Sequence, residues 1–125
     1  MSDQILRNQL LELVQGDDYL AVDGRAVVLV GGGMRWPAAV ASVKLLAYNP
    51  APCCCGVSTA PAAVLDVTGD YTAPALNAAA KCSFDLTNAI TLTLARGVRR
   101  YDFEIRATLL NGHLVTLANG MITVT

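Results

Sequence analysis

One unbroken alternation of apolar and polar residues constrains the fold of this chain more than any other feature. Over residues 101–109 every second residue is apolar, and the residues between them are charged or threonine. Successive side chains of a β-strand point to opposite faces, so this pattern predicts a long strand that is buried on one side only. The apolar face is formed by Tyr101, Phe103, Ile105, Ala107 and Leu109, and the polar face by Arg100, Asp102, Glu104, Arg106 and Thr108.

The segments around this strand predict a three-strand meander over residues 89–125. AITLTLA precedes a turn at Arg96 and Gly97, and Asn111-Gly112 separates the long strand from HLVTLANGMITVT. Asn-Gly is a preferred hairpin dipeptide. We expect the long strand to be central, with its polar face solvated and carrying charge pairs; a charged docking face is the alternative interpretation.

Five further segments have the composition of short strands. YLAVD and RAVVLV flank Asp23-Gly24, which predicts a hairpin, and AAVASVKLLAY, AVLDVT and KCSFDL follow later in the chain. Roughly seven to nine short strands with frequent turn signals predict an all-β antiparallel sandwich, or an open barrel. A one-sided sheet needs such a second layer over its apolar face.

The N-terminal segment has a different period. Its apolar residues recur at helical spacing, so we predict a short amphipathic helix over residues 2–16 that precedes the β-sandwich of residues 19–125. An extended arm over residues 1–18, lying on a neighbouring subunit, is the alternative. The residues of this pattern are Ile5, Leu6, Leu10, Leu13 and Val14.

Composition limits the classes of partner. The chain has 125 residues, enough for one domain, with a net charge of −1, and only 15% of its residues are charged while 54% are hydrophobic. Nucleic-acid binding requires a clustered positive field, so we expect no nucleic-acid partner. No apolar run reaches the ~18 residues of a membrane span, and we expect no membrane partner. So little surface charge favours a subunit that buries surface against neighbours, and therefore a homo-oligomer or a larger assembly.

The cysteines do not have the spacing of a metal site. Cys53, Cys54 and Cys55 are contiguous, Cys82 is isolated, and His113 is the one histidine. Zinc sites use separated pairs such as C-x2-C, so we predict no metal. Without a visible secretory signal the chain should fold in a reducing cytosol, which favours buried or half-buried thiols that act as small apolar groups. A disulfide between one of the three and Cys82 remains an alternative.

Residues for catalysis are nearly absent. His113 has no evident nucleophile or orienting partner, and the glycines at 31–33 lack the Lys and Ser or Thr of a phosphate-binding loop. We therefore predict no enzymatic activity and no cofactor.

The C-terminal third resembles a known family. YDFEI, an Asn-Gly turn, an apolar strand, Gly120 and the final ITVT follow the order found in immunoglobulin-like β-sandwich modules of bacteriophage baseplate and fibre proteins, which have relatives on capsid surfaces. Upstream, the Gly16-Asp17 dipeptide and SFDLTNAITLTLA are similar to the same module. The resemblance covers about forty residues convincingly, and its motifs are structural.

The resemblance implies a virion protein, assembled in the host cytoplasm, whose partners are the major capsid protein or tail components. We expect a non-enzymatic capsid decoration or cement subunit that bridges neighbouring shell proteins. A tail or baseplate adaptor is the alternative, and a small carbohydrate- or protein-binding module is the more distant one. The residues expected to contact partners are Ile5, Leu6, Leu10, Leu13, Met34, Trp36, Cys53, Cys54 and Cys55.

Overall fold

The structure, a computed structural model, describes residues 6–30, 37, 39–49, 63–74 and 79–125. Within these ranges the chain forms eight strands and two very short helices, which confirms the all-β class. The strands are β1 (Leu6–Leu13), β2 (Val27–Val30), β3 (Val40–Tyr48), β4 (Leu65–Thr68), β5 (Asp70–Thr72), β6 (Lys81–Phe84), β7 (Gly97–Leu109) and β8 (Leu114–Val124); a 3-10 turn spans Ala21–Asp23, and the helix α1 spans Asn88–Thr91.

The strands form two sheets that share one core. The larger sheet has the order β1-β8-β7-β3-β4, and the smaller has the order β2-β6-β5. Apolar side chains of both sheets meet in a single cluster, with Phe84 and Leu29 from the smaller sheet and Leu45, Ile105 and Ile122 from the larger. The predicted second layer over the apolar face is therefore confirmed, and the architecture is a β-sandwich.

Strand β7 has the predicted faces and the predicted central position. It lies between β3 and β8, and its alternate residues Tyr101, Phe103, Ile105 and Ala107 are buried. The Asn111-Gly112 turn joins it to β8. In this turn the Gly112 N–H donates to the Leu109 carbonyl at 2.9 Å, and Gly112 has φ +88°. A left-handed conformation there favours glycine.

The N-terminal segment is a strand, so the predicted helix is wrong over residues 6–13. Strand β1 pairs in parallel with β8, from Leu6 opposite Ala118 to Leu13 opposite Val124. In this extended backbone Leu13 enters the core while Leu10 points outward, which is period two rather than the helical period. Gly120 permits the approach of the two strands, since a Cβ there would lie 1.9 Å from the Gln9 carbonyl oxygen.

Two other local predictions are wrong. Asp23 and Gly24 do not form a hairpin, because residues 21–23 are a 3-10 turn and β2 pairs with β6. The AITLTLA segment contains α1 instead of the first meander strand. Thr87 caps this helix, its Oγ1 accepting a hydrogen bond from the Ile90 N–H at 3.4 Å.

Gly69 marks the point where the chain passes from one sheet to the other. It separates β4 of the larger sheet from β5 of the smaller, and its N–H donates to the Val43 carbonyl at 2.8 Å. A Cβ at this position would lie 2.3 Å from Cys82 Sγ and 2.6 Å from a ring carbon of Phe84. The close approach of backbone to core at this crossing therefore requires glycine.

Candidate interaction surfaces

The described residues leave out positions 31–36 and 38, before β3 in the sequence, and positions 50–62, after it. The predicted contacts within these segments, and Ile5, lie outside the described residues: Met34, Trp36, Cys53, Cys54 and Cys55.

The predicted contacts on β1 differ in exposure. Leu10 is 58% exposed and so lies on the surface, whereas Leu13 is 2% exposed and belongs to the core. The expected contact at Leu13 is therefore wrong, because a side chain buried within its own domain is not available to a neighbour. Leu6 begins β1 beside Ala118 of β8.

One end of the sandwich carries two exposed leucines at the β7–β8 hairpin. Leu110 is 74% exposed and Leu114 is 61% exposed. The hairpin is held to the start of β3, because the Leu110 N–H donates to the Ala39 carbonyl at 2.8 Å. Within the turn, the His113 N–H donates to Asn111 Oδ1 at 3.0 Å. The leucines are therefore presented on an ordered turn, and we call this pair the hairpin end.

The opposite end carries exposed apolar side chains on the 3-10 turn and after α1. Val22 is 87% exposed and Leu92 is 60% exposed. Both elements lie near the end of β6 and the start of β7. Tyr48, at the end of β3, pairs with Asp102 near the start of β7, so this end of the sandwich is the one where β3 ends. We call Val22 and Leu92 the helix end.

Hydrogen bonds at the 3-10 turn and α1, two of them partly buried and two exposed, hold the helix end in place. The hydroxyl of Thr91, a residue with no exposed surface, donates to the Asp17 carbonyl at 2.8 Å and accepts from the Gly16 N–H at 3.1 Å. Asp18 Oδ1 accepts from the Asn88 N–H at 2.6 Å, and Asp85 Oδ1 accepts from the Ala21 N–H at 2.8 Å. These bonds tie the segment after β1 to the segment after β6, so the two exposed apolar residues sit on a fixed platform.

The smaller sheet exposes valines beside an open groove. Val28 is 50% exposed and Val30 is 53% exposed, and both lie on the outer face of β2. The groove has a volume of about 380 Å³, and its lining includes Val28, Ser83 and Asp70. The outer face therefore combines an apolar strand with polar neighbours on β6 and β5.

The outer face of the larger sheet is a half-buried polar surface. Glu104 accepts a hydrogen bond from the Tyr48 hydroxyl at 3.1 Å and forms an ion pair with Arg106 on the same strand. Burial, and then the neighbouring Glu104 carboxylate, raise the pKa of Tyr48. Across strands, Lys44 Nζ lies 3.4 Å from Asp66 Oδ1. Such partly exposed pairs contribute at most about 1 kcal/mol each.

Cys82 is a core residue with an unreactive thiol. It has no exposed surface, it is a free cysteine, and burial followed by the charge of Asp70 raises its pKa to about 12. Nucleophilic attack and metal binding require the thiolate, which this site disfavours. The interpretation of Cys82 as a small apolar core group is confirmed.

The described residues contain no assembled metal cluster: no group of three or more His, Cys, Asp and Glu lies close enough to hold an ion. His113 is exposed at the hairpin. No helix in the described ranges has the length and apolar character to cross a membrane.

The sequence interpretation missed the residues of both ends. Leu110, Leu114, Val22 and Leu92 all flank predicted turns or predicted strands, and any of them could have been core residues on composition alone. A usable signal was the position of Leu110 directly before Asn111-Gly112 and of Leu114 two residues after it, since residues near a tight hairpin turn are commonly exposed.

No family model matches this chain, and no curated protein or solved structure matches it.

Proposed function

We propose that this protein is a non-enzymatic structural subunit of a bacteriophage particle, with an immunoglobulin-like sandwich fold, which decorates the capsid and bridges neighbouring shell proteins. Its partners on this proposal are other virion proteins, above all the major capsid protein. The observation that carries the bridging role is the presence of exposed apolar pairs at both ends of the sandwich, the hairpin end and the helix end. The phage assignment itself is supported by the resemblance of the C-terminal third.

The strand order supports the immunoglobulin-like assignment. Variable-type immunoglobulin domains place strands C, F and G with C′ in one sheet and B, E and D in the other. On that scheme β3, β7 and β8 correspond to C, F and G, with β4 as C′ at the edge, and β2, β6 and β5 correspond to B, E and D. The parallel strand β1 extends the G edge.

Tyr101 supports the same assignment independently. Many immunoglobulin-like sandwiches have a tyrosine near the start of strand F whose hydroxyl bonds to the backbone a few residues upstream. Tyr101 is buried near the start of β7, and its hydroxyl accepts from the Ala95 N–H at 2.7 Å. The contact fixes the segment between α1 and β7, and so it also positions the helix end.

Two separated apolar pairs favour a bridge over a single-site binder. Each pair alone presents little apolar surface, and its contact would be weak. When one subunit holds two neighbours, however, the second contact forms at a high effective concentration, and repetition over a lattice adds further stabilisation. Low surface charge fits such a role, since it leaves few charges to desolvate on docking.

The experiment that tests the bridge measures occupancy of phage particles by variants of each end. We expect Leu110→Asp with Leu114→Asp, and separately Val22→Asp with Leu92→Asp, each to reduce occupancy at least about tenfold, because a charge at an apolar contact must be desolvated. Leu10→Asp tests the β1 surface separately, because Leu10 is similarly exposed and is one of the predicted partner contacts.

Loss of occupancy from both ends supports bridging. Loss from one end alone would indicate an adaptor attached at a single site, as in a tail or baseplate. Loss from Leu10→Asp alone would place the contact on β1 and contradict the two-ended account.

A further inference from the structure

The described strands leave four sheet edges, and one of them contains no charged residue. The edges are β1 and β4 in the larger sheet and β2 and β5 in the smaller. Proteins protect exposed edges with charged residues, proline or short strands, because the unpaired N–H and C=O groups of an edge otherwise accept another strand. Strand β1 contains Arg7 and Glu12, β4 contains Asp66, and the three-residue β5 contains Asp70. Strand β2, four residues long like β4, reads VVLV and contains neither a charged residue nor proline.

The side chains of β2 make its edge apolar as well as open. Val28 and Val30 are half exposed on the outer face, while Leu29 enters the core. The neighbouring strand β6 pairs on one side of β2 only, with Val28 opposite Ser83 and Val30 opposite Lys81. The other side of β2 has no partner strand among the described residues. The edge therefore offers main-chain hydrogen bonds flanked by branched apolar side chains, which is the chemistry that accepts an extended apolar strand.

We infer that β2 pairs antiparallel with β2 of a second copy of this chain. Two-fold symmetry brings the same four residues together, so the edge has to be complementary to itself. An identical VVLV edge meets this requirement, because no charge opposes another charge and no charge is left without a counter-ion. A charged strand would find no opposite charge on this edge.

The pleat of the strands sets the register of the pair. Registers that keep the exposed valines of both copies on the outer face place Val28 opposite Val28 or opposite Val30. Either register keeps Leu29 of both copies on the core face and joins the two small sheets into one of six strands. Cross-strand pairs of β-branched residues then stabilise the joined sheet on its outer face.

The inference concerns the purified chain and does not depend on membership of a phage particle. The first test is sedimentation equilibrium of the purified full chain over a range of concentrations. We expect a monomer–dimer equilibrium in the unaltered chain and at least about a tenfold weaker dimer in Val28→Lys, because a lysine on an edge strand blocks pairing. The matched control is Val64→Lys, at a partly exposed valine beside β4 in the other sheet. Circular dichroism checks that both variants are folded.

The second test maps the contact by cross-linking. In a chain with Cys53, Cys54 and Cys55 replaced by Ser, mixed Val28→Cys and Val30→Cys chains cover both registers. Opposed residues in an antiparallel pair have Cα atoms about 4.5–5.5 Å apart, within the range of a disulfide. We expect covalent dimers on oxidation of the mixture and none from Val64→Cys.

Three results would overturn the inference. They are a chain that stays monomeric at every concentration, a dimer equally sensitive to Val64→Lys, and a dimer that does not cross-link through Val28 and Val30. A monomer would show that no second copy pairs with the β2 edge. The copy number in particles is measured separately, so failure here leaves the proposed function to its own test.

Discussion

The hydroxyl of Tyr101 accepts a hydrogen bond from the backbone N–H of Ala95 at 2.7 Å, and this bond ties the start of β7 to the segment that leaves α1. Tyr101 is buried and the bond to Ala95 is partly buried, so losing the acceptor leaves the Ala95 N–H with limited access to water. The contact lies where the helix end joins the longest strand of the larger sheet, and it determines how the helix end is presented.

Removing this hydroxyl should destabilise the domain. We expect Tyr101→Phe to lower the free energy of unfolding by about 1–2 kcal/mol, because the partly buried Ala95 N–H loses its acceptor. Urea denaturation followed by tryptophan fluorescence measures the change. Tyr48→Phe is the matched control, because the Tyr48 hydroxyl bonds to Glu104 on a half-exposed face and its loss should cost less. Equal losses in the two variants would contradict the structural role assigned to Tyr101.

The hydroxyl of Thr91, also at the helix end, is the basis of a second prediction. We expect Thr91→Val, which keeps the shape but removes the hydroxyl, to cost about 2–4 kcal/mol, because both the Gly16 N–H and the Asp17 carbonyl lose a partner. Thr91→Ser retains the hydroxyl and should recover most of that loss. Thr93→Val serves as control, since Thr93 is exposed and bonds only locally to the Ile90 carbonyl. A loss no larger than that of Thr93→Val would show that the two backbone groups find other partners.

The strand assignment of β1 predicts opposite results at two of its leucines. Leu13→Ala should cost about 2–5 kcal/mol, because its side chain is in the core. Leu10→Ala should change stability by less than about 0.5 kcal/mol, as is usual for exposed positions. Thermal unfolding of both variants measures the difference. Equal effects at Leu10 and Leu13 would contradict the period-two arrangement of this segment.

The raised pKa of Cys82 makes the free energy of unfolding depend on pH in the alkaline range. Its folded-state pKa of about 12 lies above the ordinary thiol value, so the folded chain holds the proton more tightly than the unfolded chain. The resulting stabilisation is fully present below about pH 9 and is lost as the pH rises from about 9 to 12. Between pH 8 and 10 we expect the unfolding free energy of the unaltered chain to fall by roughly 1 kcal/mol more than that of Cys82→Ala.

The comparison with Cys82→Ala isolates this thiol, because the two chains differ only at this position. Thiol-specific labelling supplies a second readout. Cys82 should react only as fast as the domain unfolds, while rapid labelling of Cys82 in the folded chain would contradict its buried position.

Strands with strong alternation were predictable from the sequence, as β7 shows. Its apolar positions face one shared core, so local pattern and tertiary burial agree. The AITLTLA segment shows the opposite case. Thr91 is buried and Leu92 is exposed, because α1 turns the chain and hydrogen bonds from the residues after β1 satisfy the threonine. Nothing within that segment reveals partners that lie more than seventy positions earlier in the chain.

The helix prediction for the N-terminal segment was wrong for a related reason. Its leucines and isoleucine recur at helical spacing, yet pairing with β8 imposes extended backbone on residues 6–13. Only a long-range contact, enabled by the absence of a side chain at Gly120, decides between the two structures. The exposed residues at each end could not be predicted from the sequence either, because the exposure of Leu110 and Leu92 depends on where the sheets end.

The most direct test of the central claim is the copy number of this protein in purified phage particles, measured by quantitative mass spectrometry against the major capsid protein. A capsid subunit that bridges neighbours should be present in hundreds of copies, in a simple ratio to the shell protein, since lattice symmetry repeats each contact. A few copies to a few tens would assign the protein to the tail or baseplate. Absence from the particle would contradict the virion role and leave a separate binding module as the alternative.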